Sequence, residues 1–397
     1  MSALPVLPEL AAAAPRWAEL RRDLHAHPEL RFAEHRTSDR VAEALGAMGI
    51  EVHRGLGGTG VVGVLRAGTS PRAIALRADM DALPMTEHNG FAHASRHPGR
   101  MHACGHDGHT AMLLAAAERL AQRRDVDGTV VFVFQPAEEG GAGARAMMQD
   151  GLFDRFPVDA IYGMHNWPGL PAGTFAVCDG PMLASSNELT IRVTGRGSHA
   201  ALPHDGIDPI PVACQLVLAL QTILTRNKRP TDAAVLSITM IHGGEATNVV
   251  PETCELRGTV RTFTLEVLDL IEARLRAVAE HTCAAAGATC EVRFDRNYPP
   301  TINHPGPVAL VRDVMREVVG ADRTLEFQPT MGAEDFSFYL LEKPGAYFVV
   351  GNGVGDHRAQ GHGLGPCTLH NPSYDFNDEI LPLGATLWVR LVERALG

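Results

Sequence analysis

Five of the chain's 19 histidines fall within 17 residues, and this crowding is the first sign of chemistry in the sequence. The window ends in His102-Ala-Cys104-Gly-His106-Asp107-Gly-His109, just before a segment that predicts a helix. A thiolate and an imidazole two residues apart can converge on one metal ion when a loop carries them. A His-rich surface loop with a buried cysteine explains the same pattern, so further donors are needed. The five histidines are His93, His97, His102, His106 and His109.

Further donors occur elsewhere in the chain, and three of them follow predicted strands. Glu138 and Glu139 come after the apolar segment 130–134 and before two glycines, so both carboxylates can face one pocket. His165 and His370, each followed by an asparagine, can add two imidazoles. The competing interpretations are an acidic turn at a helix N-terminus and ordinary, partly buried histidines. A metal-binding carboxylate beside one that carries a proton is the pair that metal-assisted hydrolysis uses, which favours a functional site.

The number of donors favours more than one metal ion. A closed tetrahedral zinc site accepts four protein ligands, and the sequence offers one more than that. A two-metal centre with an open position for water accommodates all of them. The donors are Cys104, His106, Glu139, His165 and His370.

An α/β scaffold is expected to position these residues. The first half of the chain alternates helical and strand-like segments, which predicts a mostly parallel sheet covered by helices. Ligands bind at the carboxyl ends of strands in such sheets, and the acidic and His-containing clusters follow predicted strands. The strands are predicted at 61–65, 73–78, 129–134 and 160–164, and the helices at 37–49, 108–123 and 143–150.

After about residue 182 the order of elements changes to βαββαβ, which predicts a ferredoxin-like antiparallel sheet with two helices on one face. The α/β pattern returns near residue 298, with helices at 308–319 and 378–396 and a strand at 346–351. We therefore expect a discontinuous catalytic domain, 1–183 and 297–397, with an inserted domain at 184–296.

Composition excludes several classes of protein. A chain of 397 residues with 45% hydrophobic and 20% charged residues is expected to fold, in two or three domains. Its formal net charge of -11 repels phosphate backbones and anionic membranes, so nucleic acid is not an expected partner. Gln215 and Gln221 interrupt the longest apolar stretch, so no membrane span is predicted.

Two further expectations concern the compartment. The N-terminus has no basic region before its alanines and is unlike a secretory signal peptide, which predicts a cytoplasmic location. Seven cysteines, an odd number spread over a long chain, argue against a disulfide framework.

Motifs along nearly the whole chain resemble those of the dinuclear-metal aminoacylase and carboxypeptidase family, peptidase M20, in its hippurate hydrolase or N-acyl amino acid amidohydrolase branch. The chain has Asp79-Met-Asp81 where other branches place His-x-Asp, and Cys104-Gly-His106 where they place a bridging aspartate. The motifs are Asp23–Glu29, Arg77–Pro84, Met101–His109, Gln135–Gly140, Gly163–His165, Gly197–His199, Asn248–Pro251, Gly332–Phe336 and His370–Pro372.

The resemblance implies roles for these residues. Two divalent ions, of Zn, Mn, Co or Ni, are implied to be held by Cys104, His106, Glu139, His165 and His370. Glu138 is implied to be the acid/base, and the inserted domain a lid that also forms a homodimer or a dimer-based oligomer. Asp79 and Asp81 are expected to orient ligands.

Three residues of the inserted domain complete the predicted site. By resemblance, His199 reaches a neighbouring subunit's site and stabilises the oxyanion, although by sequence alone it is a surface histidine. Asn248 and Arg261 can meet a substrate carboxylate, Arg261 by a bidentate contact. A turn residue and a solvated strand residue are the competing interpretations of these two.

The expected reaction is metal-dependent hydrolysis of the amide of a small N-acyl amino acid, hippurate-like or N-acetylated, to a carboxylic acid and a free amino acid. Within the same class, a metallo-dipeptidase and an N-acetyl-diaminopimelate-type deacetylase remain open. Outside it, a non-catalytic metal- or small-molecule-binding protein and a cysteine hydrolase using Cys104 are the alternatives.

Overall fold

The computed structural model describes residues 5–358 and 361–397, which form two compact units. The first unit takes in the described residues up to Gly180, together with Ile302–Gln328 and Asp335–Gly397. The second, called the inserted unit below, comprises Pro181–Thr301 and Pro329–Glu334. The first unit is therefore discontinuous along the chain.

Helices and strands alternate through much of the chain. The strands are β1 (Glu51–Leu56), β2 (Gly60–Ala67), β3 (Ala73–Asp79), β4 (Gly128–Gln135), β5 (Ala160–Pro168), β6 (Phe175–Val177), β7 (Gly180–Leu183), β8 (Ser186–Thr194), β9 (Ser198–His199), β10 (Ala234–Gly243), β11 (Val249–Val250), β12 (Thr253–Thr262), β13 (Thr289–Tyr298), β14 (Thr301–Asn303), β15 (Thr324–Glu326) and β16 (Gly345–Gly353). The helices are α1 (Pro8–Ala26), α2 (His35–Ala47), α3 (His106–Arg123), α4 (Glu138–Gly141), α5 (Gly143–Gln149), α6 (Leu152–Arg155), α7 (Pro209–Arg226), α8 (Leu265–Ala285), α9 (Pro305–Val319), α10 (Ser337–Glu342) and α11 (Leu381–Leu396). Short 3₁₀ turns cover Pro203–Asp205, Ala321–Arg323 and Asp378–Ile380.

An eight-stranded sheet forms the centre of the first unit, in the order β1-β2-β4-β3-β5-β16-β6-β15. β4, β3, β5 and β16 run parallel to one another, whereas β1 and β2 pair antiparallel at one edge. Every residue of β3 and β16 is buried, as expected for parallel strands whose two faces are covered. The predicted α/β class, with a mostly parallel and helix-covered sheet, is confirmed.

Helix α3 anchors the Cys-Gly-His motif in the core. It begins directly after Gly105, whose φ of +96° favours glycine, and a Cβ at Gly105 would lie only 2.2 Å from the Asn166 side-chain oxygen. Helices α1 and α11 pack against α3, and most of its residues are buried. Gly105, between Cys104 and His106, thus packs directly against Asn166 of β5.

The inserted unit has the predicted βαββαβ order, formed by β8, α7, β10, β12, α8 and β13. Its antiparallel sheet has the order β10-β12-β8-β13, and its core includes apolar residues of both helices. Asp208 caps α7 and Thr264 caps α8, each by accepting a backbone N–H bond in the first turn. The ferredoxin-like arrangement expected for the insertion is confirmed.

Among the described residues, α7 alone has the length and apolar composition of a membrane-crossing helix. Its residues Val212, Leu216 and Leu220 lie in the core of the inserted unit. The helix is amphipathic within the protein, because Gln215 and Gln221 on another face are exposed.

Some bounds differ from those expected. The prediction placed the inserted domain at 184–296, whereas the inserted unit begins at Pro181, extends to Thr301 and adds Pro329–Glu334. Residues 1–4 of the first predicted segment lie outside the described part of the chain.

α1 was not predicted, because its alanine run and internal Pro15 give a weak amphipathic pattern. β1 was also missed, since this edge strand is mostly exposed and lacks alternation.

Candidate metal centre

The predicted donors of the first unit meet at one edge of its sheet. Glu138 and Glu139 follow β4, and His165 lies near the end of β5. Cys104 and His106 lie at the start of α3. Because β3, β4 and β5 are parallel, their carboxyl ends deliver side chains to the same edge.

The side chains form overlapping groups of possible metal ligands. Ligand atoms of Cys104, His106 and His165 lie within 4.8 Å of one another, and so do those of Cys104, Glu139 and His370. A third group at the same spacing joins His106 to Glu138 and Glu139. Two ligands of one tetrahedral zinc ion are roughly 3.4–3.8 Å apart, a separation that falls within this limit, so each group could hold an ion.

Individual distances give the same picture. The Cys104 Sγ lies 3.3 Å from His165 Nε2, and His370 Nε2 lies 3.1 Å from Glu139 Oε1. His106, Cys104, His165 and Glu138 are buried, whereas the side chain of His370 is 54% exposed. The cluster therefore consists of buried side chains and one exposed histidine, His370.

Hydrogen bonds at Nδ1 leave the Nε2 atoms of two buried histidines available to a cation, in His106 once the ring has lost a proton. His165 Nδ1 donates to the Asn166 carbonyl at 2.6 Å, which leaves Nε2 as an acceptor. Burial lowers the pKa of His165 well below its ordinary value, so the ring is neutral. His106 Nδ1 lies 3.3 Å from Asp81, and its buried Nε2 has no hydrogen-bond partner among the described residues. An orphaned buried nitrogen beside a thiol and carboxylates fits a metal ligand.

The acidic groups of the cluster have shifted pKa values. Burial, and then the charge of Glu139, raise the pKa of the Cys104 thiol well above its ordinary value. Burial opposes ionisation of Glu139, but a hydrogen bond with His370 and the charge of His106 outweigh it and lower its pKa. A divalent cation would compensate the negative charge and favour the thiolate. The mixture of sulfur, nitrogen and oxygen donors fits zinc and similar transition metals.

Metal affinity should therefore increase steeply with pH. Although burial opposes its protonation, the carboxylates of Asp79 and Asp81 raise the pKa of His106 to about 10. At neutral pH without metal, His106 thus holds two ring protons and Cys104 its thiol proton, and as metal ligands each would lose one proton. Raising the pH removes this competition, so the dissociation constant should fall about 100-fold per pH unit between pH 6 and 8. The dissociation constant at each pH is measured by competition against a chelator of known affinity.

Cys104→Ser is the control for this pH dependence, because a serine hydroxyl releases no proton in that range. The dissociation constant of this variant should change only about 10-fold per pH unit, and it should be higher than that of the unmodified protein at every pH. A dissociation constant that does not change with pH in the unmodified protein would contradict the proton assignment.

Asp81 fixes the backbone of both glutamates. Its carboxylate accepts the N–H groups of Glu138 at 3.0 Å and Glu139 at 2.9 Å, and it also contacts His106. Asp79 lies 2.6 Å from Nδ1 of His109. These contacts have the form expected of residues that orient ligands.

A buried network behind the cluster contains residues to which the sequence analysis gave no role. Arg77 donates to Gln135 at 2.9 Å, to Asp79 at 2.6 Å and to Asp335 at 3.1 Å. The Asp335 backbone N–H lies 3.4 Å from Glu138 Oε1. Arg77, Gln135 and Asp335 had no predicted role. They lie in the motifs Arg77–Pro84, Gln135–Gly140 and Gly332–Phe336, so only the motifs could have indicated them.

Most of the histidine window has other environments. His109 packs against His165 with ring centroids 4.4 Å apart and contacts Asp79 and Asn166. His102 is buried, has no hydrogen-bond partner among the described residues and has a pKa lowered by burial to about 4. The crowding of histidines in the sequence therefore does not mean that all five are ligands.

The other three predicted site residues belong to the inserted unit. His199 lies in β9, opposite Val249 of β11, and its side chain is exposed. Its neighbour Ala200 donates its N–H to the Asn248 carbonyl at 3.0 Å, so His199 and Asn248 share one exposed region. Arg261 lies in β12 and is half-buried, and burial lowers its pKa.

Comparison with known proteins gives a consistent family. The model of peptidase family M20/M25/M40 matches residues 75–394. N-acetyl-L-cysteine deacetylase of Bacillus subtilis is 41% identical over 339 residues, which cover 85% of this chain and 80% of the relative. Hippurate hydrolase of Campylobacter jejuni is 38% identical over 98% of this chain and 99% of its own length.

This chain is also similar to a solved structure in its three-dimensional fold. The crystal structure of a dinuclear metal binding peptidase of the M20 family from Bacillus subtilis superimposes with a TM-score of 0.84 at 34% identity. The match covers 97% of this chain and 99% of that chain. The family expected from the motifs is thus confirmed.

Proposed function

Since the chain belongs to peptidase family M20/M25/M40, we propose that it is a metal-dependent hydrolase of the amide bond in small N-acyl amino acids. Relatives named as a hippurate hydrolase and an N-acetylcysteine deacetylase support an aromatic acyl or acetyl group on the substrate. One observation carries the proposal: a second carboxylate, Glu138, stands within 4.8 Å of donor atoms of His106 and Glu139. A site that only binds metal has no evident use for it.

The metal-binding residues are proposed to be Cys104, His106, Glu139, His165 and His370. Two divalent ions held by this set would supply an activated water and polarise the scissile carbonyl. Asp81 holds the backbone of Glu138 and Glu139, and buried His106 and His165 present their Nε2 atoms in fixed orientations. Zinc, manganese, cobalt and nickel are the candidate metals.

Glu138 is proposed to move the proton. Its carboxylate accepts a proton from the attacking water and returns it to the leaving nitrogen, which becomes the free amino group. The N–H of Asp335 lies 3.4 Å from Glu138 Oε1, and this contact helps to orient the carboxylate. Arg77 and Gln135 bind the carboxylate of Asp335, so the contact is itself supported by a buried network.

His199 is proposed to stabilise the oxyanion. Its Nδ1 accepts the Ala201 backbone N–H at 3.0 Å, so the proton of a neutral ring is on Nε2. An Nε2–H donor is what a developing oxyanion requires. We propose that His199 acts on the partner subunit's site in a homodimer, with Asn248 and Arg261 binding the substrate carboxylate. The dimer and the cytoplasmic location remain predictions.

A cysteine hydrolase is less consistent with the geometry. Burial raises the pKa of Cys104 and lowers the pKa of the neighbouring His165, so the pair does not favour a thiolate with an imidazolium. The thiol is better suited to binding a cation.

A substrate panel tests the proposed function. The purified protein, with its metal content measured, is expected to release free amino acids from hippurate-like and N-acetyl amino acids, while EDTA lowers the rate at least about 10³-fold. Added divalent metal should restore the rate. Dipeptides and N-acetyl-diaminopimelate in the same panel distinguish the two related activities. Turnover that survives chelation would contradict the proposal, and so would a metal-loaded protein without activity on any member.

A further inference from the structure

Several described residues that are not glycine have left-handed backbones, among them Ala142 and His370, and two of them share a buried partner: Ala137 and Phe32. Ala137, which directly precedes Glu138, has φ +54° and ψ +40°, and Phe32 has φ +60°. This region is unfavourable for a residue with a Cβ, so the surrounding structure must hold both residues in place. At Ala137 the conformation sets the direction in which the chain carries Glu138 and Glu139 away from β4.

One buried carboxylate oxygen binds both of these strained residues. Glu34 is fully buried, and its Oε1 accepts the N–H of Phe32 at 3.0 Å and the N–H of Ala137 at 2.9 Å. Its Oε2 accepts the hydroxyl of Thr59 at 2.5 Å. Burial raises the pKa of Glu34 to about 7. Burial of a carboxyl group costs free energy unless hydrogen bonds compensate it. These contacts therefore determine the position of the Glu34 side chain.

Glu34 and Asp81 together bind successive backbone N–H groups of the turn that follows β4. The N–H groups of Glu138 and Glu139 bind Asp81, and the N–H of Ala137 binds Glu34, so carboxylates hold three successive amides of the turn. The Ala137 carbonyl accepts the N–H of Gly143 at 3.1 Å. Loss of the Glu34 contact would leave Ala137 free to relax toward negative φ and redirect both glutamates.

We propose that Glu34 is a positioning residue, which holds Ala137 in the left-handed conformation and thereby sets the directions of the Glu138 and Glu139 carboxylates. Glu34 lies far from these glutamates in sequence and acts on them through the backbone. The kinetic consequence rests on the proposed function, whereas the backbone consequence does not.

Glu34→Met and Glu34→Gln form the matched pair that tests this role. Methionine has a similar length and no hydrogen-bond acceptor of comparable strength, so kcat should fall about 10–100-fold with KM near its original value. Glutamine keeps an oxygen for the two N–H groups and offers its amide to the Thr59 oxygen, so kcat should stay within about threefold. Equal losses in the two variants would contradict the positioning role.

Ala137→Gly supplies a rescue that a general loss of stability would not give. Glycine adopts the left-handed conformation without a Cβ penalty, so Glu34→Met/Ala137→Gly should recover at least about fivefold in kcat over Glu34→Met. Phe32→Gly in the same background is the control and should recover little. Rescue by Phe32→Gly instead would overturn the assignment of Ala137 as the residue through which Glu34 acts.

Hydrogen exchange gives a readout that requires no substrate. By mass spectrometry, the peptide that contains the amides of residues 137–139 should exchange at least about tenfold faster in Glu34→Met and near the original rate in Glu34→Gln. Unchanged exchange would overturn the proposal even if activity fell. If the original protein hydrolyses none of the tested substrates, the proposed function fails, while the exchange rates still decide the role of Glu34. Should Glu34→Met not fold, Thr59→Val, which removes the contact to Oε2, is expected to increase exchange at the same amides, and unchanged exchange there would also refute the role.

Discussion

Glu138→Gln should lower kcat by about 10²–10⁴-fold while the protein keeps near-normal metal content. Glutamine has nearly the shape of glutamate and retains an oxygen for the N–H of Asp335, but it cannot accept the water proton. Glu139→Ala should lose metal as well as activity, because Glu139 shares donor groups with Cys104 and His370. Steady-state kinetics with elemental analysis of the same preparations separates the two effects.

Glu342→Gln serves as the control, since Glu342 is exposed at the end of α10. It should leave both rate and metal content unchanged. The opposite pattern, with metal lost from Glu138→Gln and retained in Glu139→Ala, would mean that the proposed roles of the two glutamates are exchanged.

Mixing two inactive variants should restore about a quarter of the original activity if His199 acts across a homodimer. A Glu138→Ala subunit paired with a His199→Ala subunit has one site with both defects and one with neither. Random exchange of equal amounts gives mixed dimers in about half of the population, and half of their sites are intact. Activity is measured before and after subunit exchange, which differently tagged chains verify.

Each variant incubated alone provides the baseline and should remain inactive. No recovery after verified exchange would place His199 in its own subunit's site or outside catalysis. Light scattering that shows a monomer would remove the basis for sharing residues between subunits.

The sequence alone determined the candidate donors and the class of fold. Thiol, imidazole and carboxylate side chains followed apolar segments whose lengths and spacing predict buried parallel strands, and parallel strands bring their carboxyl ends to one edge. The sequence therefore places Glu138, Glu139 and His165 in one region. The βαββαβ order of the insertion is also predictable from the sequence, because helices and strands have different hydrophobic periodicities.

Tertiary structure alone decided which distant groups support these donors. Asp335 approaches Glu138, and Glu34 binds Ala137, across separations of 197 and 103 residues. Periodicity reports which face of an element is buried, and it carries no information on which distant element supplies a buried polar partner. The ring orientations of His106 and His165 likewise depend on contacts with Asp81 and with the Asn166 carbonyl. Such contacts exist only once the chain is packed, because burial is what makes each polar group require a partner.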